Sequence, residues 1–73
     1  MTVEIWGKEN CAFCTRAKAL VESKGISYIY KQMGIDFTRD EVFEQFPGAR
    51  TFPQIKVDGK PIGGFNALSE IYG

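Results

Sequence analysis

Cys11 and Cys14 stand three positions apart and are the only two cysteines in a chain of 73 residues. Three chemistries could use such a pair: a structural disulfide, half of a metal site, or reversible thiol–disulfide exchange. A bridge between them closes a loop of only four residues, and the stabilisation a disulfide supplies grows with the loop it closes. The pair is therefore a poor staple. A closed zinc site usually takes four Cys or His ligands, and the chain has no histidine. That excludes a complete intrachain site of the usual kind and leaves only a metal shared between chains. Redox exchange is the leading reading.

Exchange needs a thiolate, so the local structure must favour one. Thr2 to Trp6, TVEIW, is β-branched and aromatic with Val3 and Ile5 on one side, which predicts a strand. Helix formers gather from Cys14 to Lys24, with Cys14, Ala17, Leu20 and Val21 on one face and Gly25 as the stop. Cys11 then sits at a helix N-terminus, where unpaired N–H groups favour an anion. Lys8 and Arg16 add positive charge nearby, although solvated surface charge is an equally good account of either. Cys11 is thus the predicted nucleophile, with a pKa below the free-thiol value of about 8.5, and Cys14 the predicted resolving thiol.

Ser27 to Gln32 reads as a second strand. Strand, helix and strand with short connections make a βαβ unit with parallel strands and a right-handed crossover, which places Cys11 at the carboxyl end of a parallel strand. Thr38 and Glu41 have capping-box spacing, predicting a helix over Arg39 to Phe46 ended by Pro47 and Gly48, with Val42, Phe43 and Phe46 as core. Pro53 to Gly64 holds two short strands around the turn pair Asp58-Gly59. Pro61 suits an edge strand. Asn66 is the expected cap of a last helix, Ala67 to Tyr72. The order is β-α-β-α-β-β-α, a single α/β domain over residues 1–73 without repeats or linkers.

Composition sets the class of partner. With 44% hydrophobic and 25% charged residues the chain should form a core and not remain disordered. Nine Lys plus Arg balance nine Asp plus Glu without clustering, so no nucleic-acid footprint is expected. No apolar run approaches a membrane span, and Met1 to Trp6 has no signal-peptide pattern. The expectation is a soluble, cytoplasmic protein, in a compartment where thiols stay reduced.

Cys11-Ala12-Phe13-Cys14, Thr51-Phe52-Pro53 and Gly63-Gly64-Phe65-Asn66, in this order and at these separations, resemble the Cys-Pro-Tyr-Cys, Thr-Val-Pro and Gly-Gly-x-Asp motifs of glutaredoxins, with Lys8 ahead of the cysteines as that family's lysine is. The resemblance runs from Val3 almost to the C-terminus. It implies a thioredoxin-like fold: a central four-stranded mixed sheet with helices packed on its faces. It also implies a glutathione-dependent thiol–disulfide oxidoreductase acting on protein disulfides and glutathionylated proteins, ribonucleotide reductase among the candidates. No bound cofactor or metal is implied; glutathione is the reducing co-substrate, and the protein works as a monomer. Two other roles fit: a dithiol hydrogen donor to ribonucleotide reductase recharged by a thioredoxin reductase, and a dimer holding an iron–sulfur cluster through Cys11 and glutathione thiols.

Site roles follow from the resemblance. Pro53 would be cis, turning the Phe52 backbone toward Cys11 so that Thr51, Phe52 and Pro53 pair with glutathione as an added strand. Gly64, Phe65 and Asn66 would hold the γ-glutamyl end at the last helix N-terminus, and Phe13 would flank the groove. Lys8 would attract the glycyl carboxylate, with Arg39 a weaker candidate and Arg50 a third. The chain departs from the family pattern at four of these places. Ala12 replaces proline, Phe13 tyrosine, Phe52 valine and Asn66 aspartate; the last change removes a charge that could pair with the γ-glutamyl ammonium.

Overall fold

The computed structural model describes residues 2–73. Seven elements follow one another: β1 (Val3–Gly7), α1 (Ala12–Ser23), β2 (Tyr28–Gln32), α2 (Arg39–Gln45), β3 (Gln54–Val57), β4 (Lys60–Gly63) and α3 (Phe65–Tyr72). The strands form one mixed sheet in the order β2-β1-β3-β4. β1 runs parallel to β2, with Ile5 opposite Tyr30 and Gly7 opposite Gln32. It runs antiparallel to β3, and β3 pairs antiparallel with β4. This is the thioredoxin-like arrangement that the resemblance implies, in the element order read from the sequence.

Alternation along β1 sends its side chains to two clusters. Val3 and Ile5 join Ala17, Val21, Ile55 and Leu68 in an aliphatic core under α1 and α3, every member fully buried. Trp6 faces the other way and packs with Phe37, Val42 and Phe46 under α2. Trp6 and Phe46 meet edge-on at 5.5 Å between ring centroids, and Trp6 and Phe37 tilt together at 4.7 Å, distances at which the positive edge of one ring attracts the face of another.

Local chemistry fixes most boundaries. Thr38 Oγ1 accepts from Glu41 N–H at 3.3 Å while the Glu41 carboxylate accepts from Thr38 N–H at 3.0 Å, the reciprocal capping box that starts α2. Asp58 and Gly59 both take positive φ, 51° and 83°, which is what a two-residue turn needs to match strand twist. Pro61 lies on β4, an edge strand, where a missing N–H costs no ladder bond.

Two expectations are corrected. Asn66 does not cap the last helix: α3 begins at Phe65 with Gly64 as its N-cap and no side-chain cap bond. Gly63, at φ +116°, turns the chain out of the strand immediately after a β-bulge, so the helix starts before Asn66 is reached. Phe43 is not core. It points outward with 41% exposure, while Val42 and Phe46 carry the buried side of α2.

Candidate active site

Cys11 is the N-cap of α1. Its backbone is extended, and its Sγ accepts from the Cys14 N–H at 3.2 Å. A sulfur therefore takes the place of the hydroxyl or carboxylate that usually satisfies the first N–H groups of a helix. No acidic residue stands in the first turn of α1 to neutralise that end. The two sulfurs are joined as a disulfide, with the Cα atoms 5.2 Å apart, inside the range such a bond requires. The partners are unequal: Cys14 is 1% exposed and packed on the inner side of α1, whereas Cys11 is partly accessible.

The Phe52–Pro53 peptide is cis, and the Phe52 carbonyl oxygen lies 3.8 Å from Cys11 Sγ. A hollow of about 340 Å³ opens on one side of this peptide, lined by Phe13, Thr51, Phe52, Pro53, Gly64, Phe65 and Asn66. Gly64 is a close-approach position, since a Cβ there would stand 3.3 Å from the Pro53 carbonyl oxygen. Phe13, 49% exposed, tilts against Phe65 at 5.8 Å and carries the Arg16 guanidinium at 5.2 Å from its centroid. On the other side a second hollow, about 420 Å³, is lined by Lys8, Met33, Arg39, Val42, Phe43, Ala49, Arg50, Thr51 and Phe52. Thr51 and Phe52 belong to both, so the two hollows are ends of one groove.

Charge is unevenly placed along that groove. Lys8, Arg39 and Arg50 line one end and no carboxylate does. Lys8 Nζ lies 5.5 Å from the Phe52 ring centroid and the Arg39 guanidinium 5.6 Å from that of Phe43, contacts that favour a cation at the rim. At the other end the charge is that of a helix, the N–H groups opening α3.

A sequence-family model for glutaredoxin matches residues 3–62. The chain belongs to the glutaredoxin family. Glutaredoxin 3 of Escherichia coli is 44% identical over 69 residues, covering 90% of this chain and 80% of that protein. Reduced E. coli glutaredoxin superposes with a TM-score of 0.80 at 30% identity, over 97% of this chain and 92% of that one. A buckwheat glutaredoxin–glutathione complex has a TM-score of 0.71 at 29% identity, over 93% of this chain and 64% of that one. This glutaredoxin is accordingly a thiol–disulfide oxidoreductase, and its Cys11–Cys14 pair is the fitting redox-active disulfide.

Lys8, Phe13, Arg39, Arg50, Thr51, Phe52, Pro53, Gly64, Phe65 and Asn66 line this one groove, and Cys11 and Cys14 form the disulfide beside it; Arg16 lines neither hollow and lies instead over the Phe13 ring. Sequence reasoning missed Met33, Val42, Phe43 and Ala49 in the cationic hollow. Phe43 carried a signal: the buried positions of α2, Val42 and Phe46, already lie four apart on one face, leaving Phe43 at its margin. Among the described residues no group of three or more His, Cys, Asp or Glu is arranged to hold a metal ion, and no helix is long and apolar enough to cross a membrane.

Proposed function

We propose that this glutaredoxin uses glutathione as its reductant and acts on glutathionylated proteins and on protein disulfides, such as that of ribonucleotide reductase. The observation that carries the reading is the groove's polarity. Glutathione has a carboxylate at each end and its thiol between them. The groove has cations at one end, an uncapped helix N-terminus at the other, and Cys11 beside the peptide that joins the two ends.

In this reading Lys8 attracts the glycyl carboxylate, with Arg39 behind it. The Phe52 backbone, between Thr51 and Pro53, takes the tripeptide's main-chain bonds as an added strand would. The N–H groups of Phe65 and Asn66 take the γ-glutamyl carboxylate, and Gly64 leaves room for its approach. Phe13 closes the outer wall. The chemistry is two exchanges. Cys11 thiolate attacks the glutathionyl sulfur of a mixed disulfide, forming a Cys11–glutathione bond and releasing the protein thiolate. A second glutathione thiolate then attacks that glutathione sulfur, giving glutathione disulfide and free Cys11 thiolate. On a protein disulfide, Cys14 resolves the mixed disulfide instead, and two glutathiones reopen the resulting Cys11–Cys14 bond. The residues 1–73 act as one domain and as a monomer, in the cytoplasm, where glutathione keeps the couple reduced.

The test is a coupled assay with glutathione, glutathione reductase and a small glutathione mixed disulfide. Saturable turnover supports the proposal if loss of the mixed disulfide, followed directly by chromatography so that either thiol can be scored, falls to background when glutathione is replaced by an equal concentration of 2-mercaptoethanol. Equal turnover with both thiols, or recharging only by thioredoxin reductase, overturns it.

A further inference from the structure

Gly7 ends β1 with its missing side chain facing α1. A Cβ placed there would stand 2.9 Å from Tyr30 Cζ and 3.1 Å from Cys14 Sγ, with the Tyr30 hydroxyl closer still. The phenol tip and the buried sulfur therefore flank the same small space, and glycine at position 7 keeps it open. Tyr30 reaches that point from β2, where it pairs opposite Ile5, so its ring leans two residues along β1 toward the sulfurs. Lys18, one turn beyond Cys14 on α1, holds its ammonium 5.7 Å from the ring centroid.

From this juxtaposition we infer that Tyr30 is a positioning residue for Cys14, its hydroxyl donating to the Cys14 sulfur when the Cys11–Cys14 bond opens. Burial pushes the Tyr30 phenol above its ordinary value, so near neutral pH it is protonated and a donor. The need for one is chemical. When a reducing thiolate attacks Cys11 Sγ, a new S–S bond forms to Cys11, the Cys11–Cys14 bond breaks and Cys14 departs as a thiolate. At 1% exposure Cys14 has almost no access to water, and a buried anion without a hydrogen bond is costly. A stabilised leaving thiolate leaves faster.

The test needs no glutathione and stands apart from the proposed co-substrate. Dithiothreitol supplies both electrons, opening the disulfide in a first exchange and closing to its own cyclic disulfide in a second, with Cys11 and Cys14 left reduced. Tyr30→Phe keeps the ring and should slow this opening about three- to ten-fold, with the dithiol–disulfide equilibrium moving toward the disulfide. Release of a small mixed disulfide from Cys11 in a Cys14→Ser background completes the cycle: the Tyr30→Phe effect should vanish there, because the group it acts through is gone. Gly7→Ala, which displaces the hydroxyl without removing it, should lower the opening rate in the same direction. An unchanged opening rate in Tyr30→Phe, or an equal effect with and without Cys14, overturns the inference. So does a loss in Gly7→Ala unmatched by Tyr30→Phe, since space and not the hydroxyl would then matter.

Discussion

On the face of the sheet that carries α1 and α3, six aliphatic residues close on one another with no exposure at all. On the opposite face, under α2, three aromatic rings and Val42 do the packing, Lys31 and Lys56 place ammonium groups over the Trp6 ring at 4.7 and 5.8 Å, and Trp6 Nε1 is buried without a hydrogen-bond partner among the described residues. An orphaned donor of that kind costs about 1–3 kcal/mol. The aliphatic face holds the buried sulfur and the helices whose N-termini face the groove. The aromatic face holds the cationic end of the groove. Exchange depends on two sulfurs staying in register, so it sits on the tighter packing, while the cationic end of the groove rests on the shorter helix α2 and its loops.

If the division is right, the largest effects belong to the sulfurs. Cys11→Ser should abolish all exchange, whereas Cys14→Ser should retain reduction of glutathione mixed disulfides and lose most reduction of protein disulfides. Two variants that behave alike would break the assignment of nucleophile and resolving thiol.

The next effect compares the faces as packing. Leu68→Ala, on the aliphatic side, should cost about 2–5 kcal/mol in urea unfolding. Val42→Ala, on the aromatic side, should cost less, about 1–3 kcal/mol, and should speed hydrogen exchange in α2 well before α1. Equal acceleration in both helices would mean that the two faces open as one unit. Thr38→Ala, which removes the capping box, should lower stability by about 1 kcal/mol, again with the change in exchange concentrated in α2.

The smallest effect sharpens the charge argument. Lys8→Ala should raise KM for a glutathionylated substrate about two- to five-fold, as an exposed pair would. The wild type should lose that advantage as salt is added. A variant matching wild type in KM and in salt response would leave the cationic hollow without its leading cation.

How much of this was legible beforehand varies with the range of the cause. Local causes read well: the Thr38–Glu41 box, the Asp58-Gly59 turn and the Cys11 N-cap are each set within a few residues, and all three stand in the structure. The start of α3 was misread because Asn66 is a good cap by type, while the bulge and Gly63 that bring the helix start forward depend on how β4 pairs with β3. The groove's contents came through resemblance, since no periodicity connects Lys8 to Thr51. The Gly7–Tyr30–Cys14 contact was invisible because it joins three elements and depends on the register of β1 against β2.

The central place of β1 has a consequence for synthesis. It is made before both of its neighbours in the sheet, yet Val3 pairs with Tyr28 on one side and with Val57 on the other. A ribosome adding about 5–20 residues per second delivers β2 roughly one to five seconds after β1 and β3 later still, so the nascent chain holds a half-built sheet whose open edge is the strand that leads to the cysteines. Until Val57 has cleared the exit tunnel, that edge is exposed to other chains. The helix that follows β1 is available earlier, and its docking over Val3 and Ile5 covers the apolar face of the strand while that strand's hydrogen-bonding edge waits for β3.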